Sequence, residues 1–267
     1  MTDTFGTMLR RWRTTRRLSQ EALASDAEIS TRHLSCLETS KARPSREMVL
    51  LLSSALELEL RERNVLLTAA GFAQVYASEG LESLRMAPVR RAVELLLAQQ
   101  EPWGAVLVDR TWNVLQVNDG ARRLFAHFTP SAPMDNVVRA VLHPEGLRPF
   151  ITNWVEVAAF TMQRLRQEFL RQPHDTARAG LLDEVSRLPG IDALPTALVG
   201  TAPSSEVHLK NGDVELRLLT LLTTIGTPLD VTAEELAIES YFPADDASEA
   251  WLRVSASARA RWPRWWR

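Results

Sequence analysis

The chain has 267 residues, of which 45% are hydrophobic and 24% are charged, proportions that are ordinary for a globular protein with a sizeable core. No apolar run is long enough to cross a bilayer, and no apolar segment follows the first methionine as in a secretory signal. Cys36 is the only cysteine, which excludes internal disulfides and cysteine-cluster metal sites. We therefore expect a cytoplasmic protein with no membrane partner.

The net charge of −2 conceals an uneven distribution of charge along the chain. Residues 1–46 contain nine Lys or Arg and five Asp or Glu, a balance of +4, so the remainder carries −6. A basic N-terminal region on an acidic protein indicates that this region alone contacts a polyanion such as nucleic acid.

Residues 5–70 carry the pattern of consecutive short helices, with no strand pattern among them. Apolar residues recur at helical spacing, beginning with Phe5, Leu9 and Trp12. Serines stand where helix N-caps are needed, at positions Ser19, Ser30 and Ser45. The sequence predicts an all-α, five-helix DNA-binding domain over residues 1–74, followed by a connecting helical segment over residues 75–102.

The stretch SQEALASDAEISTRHLSCLE, residues 19–38, predicts two short helices joined by a tight turn. In a helix-turn-helix the first helix crosses the DNA backbone and the second lies in the major groove. If Leu34 and Leu37 face the core, helix geometry turns four side chains outward as candidate base readers. These are Thr31, Arg32, Ser35 and Cys36. Arg32 is the strongest candidate, because a guanidinium can donate to both acceptors of guanine.

Three further residues are predicted to contact phosphates of double-stranded DNA. Gln20 stands at the start of the first helix, beside that helix's free backbone amides. Lys41 and Arg43 follow the second helix, where their charges can hold the DNA backbone.

Residues 18–56, LSQEALASDAEISTRHLSCLETSKARPSREMVLLLSSAL, resemble the helix-turn-helix of the Xre family of phage-repressor-like transcription regulators. The resemblance implies a structural ion pair between Arg13 and Glu38. It also implies a glycine in the turn, where this chain has Glu28. If that position keeps the left-handed conformation, Glu28 costs about 1–2 kcal/mol of strain.

After residue 74 the pattern changes to strands and longer helices. WGAVLVDRTWNVLQVN (103–118) predicts two strands, and EVHLKNGDVELRLLTLLTTIG (206–226) predicts a hairpin with its turn at Asn211–Gly212. A further strand is expected at 236–243, and helices are expected at about 118–127, 134–142, 147–171 and 175–188. The result is a mixed, mostly antiparallel sheet with helices on one face over residues 103–250, followed by a basic aromatic tail over residues 251–267.

The segments LRERNVLLTAAGFA, LVDRTWNVLQVN and TIGTPLDVTAEELAIESYFPAD resemble the MmyB-type regulators, in which a PAS-like ligand-binding domain follows an N-terminal domain of this kind. The resemblance spans roughly residues 5–250 of the chain. It implies that the C-terminal domain binds a small, largely apolar molecule, with a fatty acid as the best-supported class.

The residues allow such a pocket between the long helix and the hairpin. One stripe of residues 147–170 is apolar, and alternate residues of the second hairpin strand face one side. The predicted ligand contacts are Trp154, Ala158, Met162, Leu218 and Thr220. A carboxylate could be held by Arg122, His143, Arg148 or Arg217, which the sequence does not rank. The alternative is that these residues simply fill a core.

The five histidines lack metal-ligand spacing, and no catalytic constellation is evident, so we expect no metal site, no cofactor and no enzyme. The combined prediction is a transcription regulator that binds a pseudo-palindromic operator as a homodimer and responds to an apolar ligand. Its half-sites would lie about 34 Å apart. The alternative is a protein-interaction and dimerisation module that sequesters a partner and binds no small ligand.

Overall fold

The computed structural model describes residues 4–129, 134–172, 174–195, 206–226 and 228–257. Contacts between residues divide the chain into two compact units. The helical unit comprises Met1–Ser83 and Thr227–Glu234, and the sheet unit comprises Leu84–Gly226 and Glu235–Arg267. A short segment of the helical unit therefore lies, in sequence, between two segments of the sheet unit.

The helical unit begins with the five helices that the sequence predicts. They are α1 Phe5–Thr15, α2 Gln20–Asp26, α3 Thr31–Glu38, α4 Arg46–Ala55 and α5 Leu60–Ala69. The three predicted serine caps are formed, because the hydroxyls of Ser19, Ser30 and Ser45 each accept a hydrogen bond from the amide three residues later. Each cap satisfies a backbone amide that has no partner inside its own helix.

Apolar side chains from all five helices form the core of the helical unit. Trp12, Leu34 and Leu37 are completely buried there. Gly6 allows α1 to approach α3 closely, because a Cβ atom at this position would lie 2.6 Å from the carbonyl oxygen of Leu37. Helix α3 is therefore fixed along one side by α1.

The described strands of the sheet unit form one five-stranded sheet in the order β2-β1-β5-β4-β3, with neighbours antiparallel throughout. They are β1 Gly104–Val108, β2 Val114–Val117, β3 Glu206–Asn211, β4 Val214–Thr224 and β5 Ala237–Pro243. The predicted hairpin is formed by β3 and β4, with Gly212 at φ 57° in its turn. The strand predicted at 236–243 is β5, which occupies the middle of the sheet.

Helices cover one face of this sheet and part of the other. They are α6 Ala87–Gln99, α7 Asp119–Phe128, α8 Val137–Leu142, α9 Trp154–Arg171, α10 Thr176–Ser186 and α12 Asp246–Ser257. The main core lies between these helices, except α6, and the sheet face that carries Val106 and Leu218. Helix α6 packs on the opposite face, beside Leu107 and Ile238. The predicted fold class, an all-α domain followed by an antiparallel sheet with helices, is confirmed.

The long helix predicted over 147–171 begins later than its apolar stripe suggests. Residues Arg148–Phe150 form a short 3-10 helix, and Ile151 makes a β-bridge with Leu209 before α9 begins at Trp154. Part of the predicted C-terminal tail continues α12, and residues 258–267 lie outside the described part of the chain. None of the described helices is both long and apolar enough to cross a membrane.

The connection between β4 and β5 contributes a short helix, α11 Val231–Glu234, to the helical unit. The amide of Val231 donates to the carbonyl of Ala77 at 2.8 Å. The amide of Leu60 donates to the carboxylate of Glu234 at 2.7 Å. Because the residue before α5, Glu59, provides no side-chain cap, Glu234 satisfies one of the free amides at the start of α5.

Candidate DNA-recognition helix and ligand pocket

Helix α3 presents a polar edge to solvent. Thr31 and Arg32 are exposed in its first turn, and Ser35 and Cys36 are half-buried one turn later. In a helix-turn-helix, this N-terminal part of the second helix reaches base edges. Among the described residues, none forms a hydrogen bond or ion pair with the guanidinium of Arg32. The four predicted base readers thus share one edge of α3, and Arg32 is available to a ligand there.

The residues predicted to contact phosphates have different surroundings. Lys41 and Arg43 are exposed in the loop after α3. The amide of Lys41 donates to the carbonyl of Cys36 at 2.8 Å, which fixes the start of this loop against the helix end. Gln20 is half-buried, and its side-chain amide donates to Oε2 of Glu38 at 2.7 Å. A phosphate contact by Gln20 would therefore use its second N–H.

A buried ion pair holds the end of α3 to α1. Arg13 Nε donates to Glu38 Oε1 at 2.6 Å, and Arg13 Nη2 donates to Glu38 Oε2 at 3.0 Å. A third bond runs from Arg13 Nη1 to the carbonyl of Leu18 at 2.7 Å. Two parallel, charge-assisted bonds fix both distance and orientation. The pair implied by the Xre resemblance is therefore formed, and it is structural.

The turn between α2 and α3 keeps the left-handed conformation although it contains no glycine. Glu28 has φ 53°, and the amide of Ile29 donates to the carbonyl of Ala24 at 2.9 Å. The turn position therefore stays left-handed although Glu28 replaces the glycine that the Xre resemblance implies. Its cost is the strain of a side chain at positive φ, about 1–2 kcal/mol.

A second acid, Glu62 of α5, is buried beside α1. Trp12 Nε1 donates to Glu62 Oε1 at 3.2 Å, and Glu62 is only 5% exposed. Its Oε2 has no hydrogen-bond partner within the described part of the chain. Burial raises the pKa of Glu62 to about 7. The helical unit therefore contains a carboxyl group that changes its charge near neutral pH.

The sheet unit contains an apolar cavity of about 330 Å³ between its helices and one face of the sheet. Phe125 of α7, Val138 of α8, Val157 of α9, Leu209 of β3 and Leu218 of β4 contribute to its walls. Ligand-binding pockets have volumes of about 300–1,000 Å³ and mostly apolar linings with a few polar groups. This cavity lies at the lower end of that range, which suits a single apolar chain of moderate length.

A few polar side chains also line the cavity: Thr161, Arg164, Thr220, Glu239 and Tyr241. Tyr241 Oη donates to Glu239 Oε2 at 3.0 Å. Burial raises the pKa of the Glu239 carboxyl, and burial also raises the pKa of the Tyr241 phenol well above its usual value. Burial therefore favours the neutral form of both groups.

Arg164 is engaged with two neighbours where the cavity meets solvent. Its Nε donates to Glu168 Oε1 at 3.1 Å, and its guanidinium carbon lies 4.4 Å from the centre of a Trp112 ring. Trp112 Nε1 donates to Glu168 Oε2 at 3.1 Å. The positive charge of Arg164 is therefore balanced by Glu168.

The predicted ligand contacts separate into two groups. Leu218 and Thr220 line the cavity. Ala158 and Met162 are buried in the core instead, and Trp154 lies outside the cavity, with its indole Nε1 donating to the carbonyl of Val141 at 3.0 Å. The reason is the phase of α9, whose cavity-facing side carries Val157, Phe160, Thr161 and Arg164. At about 100° per residue, this side is turned away from that of Ala158 and Met162.

The four predicted carboxylate anchors do not line this cavity. Arg122 pairs with Asp119 at 2.9 Å, and His143 Nδ1 accepts a hydrogen bond from the amide of Glu145. Arg148 stacks 3.6 Å from the centre of the Trp154 ring, and Arg217 lies 3.9 Å from Asp245. Sequence reasoning missed Glu239 and Arg164. The available signal was an acid within the mostly apolar strand β5.

A helix-turn-helix with an exposed recognition edge, together with a second unit that encloses an apolar cavity, defines a ligand-binding transcription regulator. The comparisons agree: residues 4–66 match the model of a helix-turn-helix domain, and residues 89–254 match that of the MmyB-like transcription regulator ligand binding domain. Because the second match covers more than half of the chain, the chain belongs to the MmyB-like transcription regulator family. The protein is therefore a DNA-binding transcription regulator.

A comparison with curated proteins gives no match. Among solved structures, an RNA-binding light-oxygen-voltage receptor is 12% identical over 94% of this chain, with a TM-score of 0.28. The chain spans 63% of the length of that receptor. A similarity of this size supports no statement about the function of the present protein.

Proposed function

We propose that this regulator acts in the cytoplasm by binding a specific, pseudo-palindromic operator as a homodimer, and that an apolar, fatty-acid-like ligand in the sheet unit changes its affinity for that operator. The observation that carries the DNA-binding part is the exposed first turn of α3, where Arg32 has no partner among the described residues. One such helix reads one half-site, so two copies are needed for a palindrome, with half-sites about 34 Å apart.

The test of DNA reading compares two kinds of substitution on operator and random DNA. Arg32→Ala should cost about 1–3 kcal/mol on the operator and much less on random DNA, because it removes a base contact. Lys41→Ala and Arg43→Ala should weaken binding to both DNAs alike and reduce the salt dependence, because they remove phosphate contacts. Fluorescence anisotropy at several salt concentrations measures both effects.

Arg187→Ala provides the control, since Arg187 is an exposed arginine of the sheet unit that pairs with Asp183. It should leave both affinities unchanged. Equal losses on operator and random DNA for Arg32→Ala would show that Arg32 does not read bases. Absence of binding to any DNA by the wild-type protein would favour the alternative function, the sequestration of a protein partner.

The connection between β4 and β5 supports a route by which the ligand changes DNA affinity. These strands carry Thr220 and Glu239 in the cavity wall. Between them the chain passes through α11, whose Glu234 accepts the hydrogen bond from the first amide of α5. A displacement of β4 or β5 by the ligand therefore pulls directly on a segment of the DNA-binding unit.

This route predicts that Glu234→Gln weakens the coupling between the two sites more than it weakens either site. Allosteric coupling is typically about 5–150-fold in affinity, and we expect the variant to lose most of it. The measurement is operator affinity with and without the best-bound of a set of decyl-chain probes. Glu249→Gln is the matched control, since Glu249 is a half-buried acid of α12 that pairs with Arg253 in the sheet unit. Coupling that survives Glu234→Gln in full would rule out this route.

A further inference from the structure

The face of the sheet opposite the ligand cavity is only partly covered. Helix α6 packs over the β1 side of this face, where its Val93 and Leu97 are buried. Along β4, the residues that point to this face alternate with cavity-lining residues such as Thr220. Among them, Leu221 is 51% exposed and Thr223 is also exposed. The β4 side of this face is therefore left open.

Helix α6 has an apolar surface wider than the part that touches the sheet. Pro88, Ala92 and Leu95 follow one another at spacings of four and three residues, so they form one stripe along the helix. All three are exposed, and so is Leu96 beside them. An exposed apolar stripe with this spacing is typical of a helix that pairs with another helix.

The stripe and the open strands enclose an apolar groove of about 270 Å³. Val89, Ala92 and Leu96 of α6 form one wall, and Thr223 and Ile238 of the sheet contribute to the other. Every described residue that lines the groove is uncharged. A charged partner would lose hydration here without compensation, whereas an apolar ridge would gain contacts.

We call this surface the α6–β4 face, which consists of Pro88, Ala92, Leu95 and Leu96 of α6 with Leu221 and Thr223 of β4. It contains both a ridge, formed by Leu95 and Leu96, and a groove beside that ridge. In a two-fold dimer the same surface of each copy faces the other, so each ridge can lie against the partner's groove. Arg91 and Glu94 of α6 pair with each other at 3.7 Å, so an identical surface brings no uncompensated charge.

The size of the α6–β4 face is sufficient for a small dimer interface. Helix α6 has 13 residues, so its stripe is about 20 Å long. The helix diameter of about 10 Å and two strands spaced at about 4.8 Å give a similar width, hence a flat footprint of about 400 Å² per copy. The accessible area of a ridge beside a groove exceeds its footprint. Two copies therefore bury on the order of 1,000 Å², the lower limit for a specific interface.

We propose that two copies of this chain pair through the α6–β4 face, with α6 of one copy packed against α6 of the other across a two-fold axis near Ala92. The inference rests on the proposed homodimer and names the surface that forms it. The small side chain of Ala92 allows the two helices to approach closely at the axis. The ligand cavity lies on the other face of the sheet, so pairing leaves it accessible.

Sedimentation equilibrium of the full-length protein without DNA, from about 0.1 to about 100 µM, measures the pairing. The wild type should dimerise reversibly in this range. Leu96→Glu and Leu221→Glu should each raise the dissociation constant of the dimer about 100-fold, because each places a carboxylate in an apolar contact. Leu170→Glu is the matched control at an exposed leucine of α9, and it should leave the dissociation constant unchanged. Circular dichroism and decanoate titration confirm that each variant is folded.

A disulfide crosslink locates the axis. In a Cys36→Ser background, Ala92→Cys should give a covalent dimer under mild oxidation, because a disulfide requires Cα atoms about 4.4–6.8 Å apart. Ala98→Cys is the control on the same helix, since Ala98 is exposed but lies about 120° away from Ala92 around α6. It should remain monomeric on a denaturing gel.

Three results would overturn the proposal: a wild type that stays monomeric throughout this concentration range, a dimer that persists in both glutamate variants, or a crosslink through Ala98→Cys and not through Ala92→Cys. Persistence of the dimer together with loss of decanoate binding in those variants would assign the groove to the ligand. A loss of pairing of the same size in Leu170→Glu would also overturn it, because the effect would not belong to this face.

Operator binding separates this inference from the proposed function. Two copies of a monomeric wild type on one operator would overturn the inference and leave operator recognition standing. A dimer that responds to the substitutions as expected but binds no operator would support the α6–β4 face and overturn the proposed DNA reading.

Discussion

The recognition helix and the ligand cavity differ in how their buried polar groups are hydrogen-bonded. In the helical unit, Arg13, Glu38 and Gln20 form a connected network that fixes α3. In the sheet unit, the carboxyl of Glu239 has one hydrogen bond within the described part of the chain, from Tyr241, and lines a cavity of about 330 Å³. A helix that reads DNA must hold its side chains in one geometry, whereas a ligand site needs room and a group that is satisfied only on binding.

The largest effect is expected from a substitution that breaks the hydrogen-bond network of the helical unit. Arg13→Met leaves Glu38 as a buried, uncompensated charge, which should cost about 3–5 kcal/mol of unfolding free energy. Hydrogen exchange of the α1 and α3 amides in the full chain measures this loss. The double variant Arg13→Met/Glu38→Leu should recover most of it, because no buried charge remains.

The control for Arg13 is Arg187→Met, since Arg187 and Asp183 form an exposed pair. Exposed pairs contribute about 0–1 kcal/mol, so this variant should be nearly neutral. If both arginine variants lower the unfolding free energy by the same amount, the buried pair of Arg13 and Glu38 does not hold α3 in place.

A second pair of substitutions compares core and cavity within α9. Met162→Ala should cost the sheet unit about 2–5 kcal/mol, because Met162 is a completely packed core residue, and should leave probe affinity unchanged. Thr161→Phe, one residue earlier, should fill the cavity and prevent binding of the decyl-chain probes with a smaller stability cost. Thermal denaturation and probe titration measure the two properties. If Met162→Ala abolished probe binding and Thr161→Phe did not, Met162 rather than Thr161 would face the cavity.

A third prediction concerns the pH dependence of the helical unit. The folded pKa of Glu62 is about 7, against an ordinary value of 4.5. Between these values the folded state keeps a proton that the unfolded state has lost, so stability falls as the pH rises through this window. The full difference is at most about 3 kcal/mol. Glu62→Gln should abolish this slope in denaturation measurements from about pH 5 to pH 8, and a slope that persists would assign it to another group.

The smallest expected effect concerns backbone strain in the helical unit. Glu28→Gly should raise stability by about 1 kcal/mol, since glycine adopts φ 53° without strain. Gly71→Ala should lower stability by a similar amount, because φ 88° is strained for alanine. No neighbouring atom would clash with the added Cβ, so the backbone alone accounts for the loss. Urea denaturation distinguishes the two signs. A loss of stability in Glu28→Gly would show that its side chain contributes more than its backbone costs.

Local signals made the helical unit predictable. The serine caps, the apolar spacing and the short turn each act within a few residues, and the structure contains all of them. The hairpin at Asn211–Gly212 was predictable for the same reason, because a turn dipeptide determines the pairing of adjacent strands.

The ligand pocket depended on contacts that sequence spacing does not show. The bridge between Ile151 and Leu209 delays the start of α9. The predicted apolar stripe is buried in the core, whereas the cavity is lined by Val157, Phe160 and Thr161 on another side of the helix. The environment of Glu239 is set by β1 and β4, and β1 is remote in sequence. The place of this acid in the cavity wall therefore became visible only with the strand register.

Helix α11 also bears on how the protein can be divided. Cutting the chain once, after residue 83, would deprive the N-terminal fragment of the carboxylate that completes the start of α5. The helical unit is built from two separate stretches of sequence, so fusing it to another ligand-binding domain requires the segment with α11 as well as the first 83 residues.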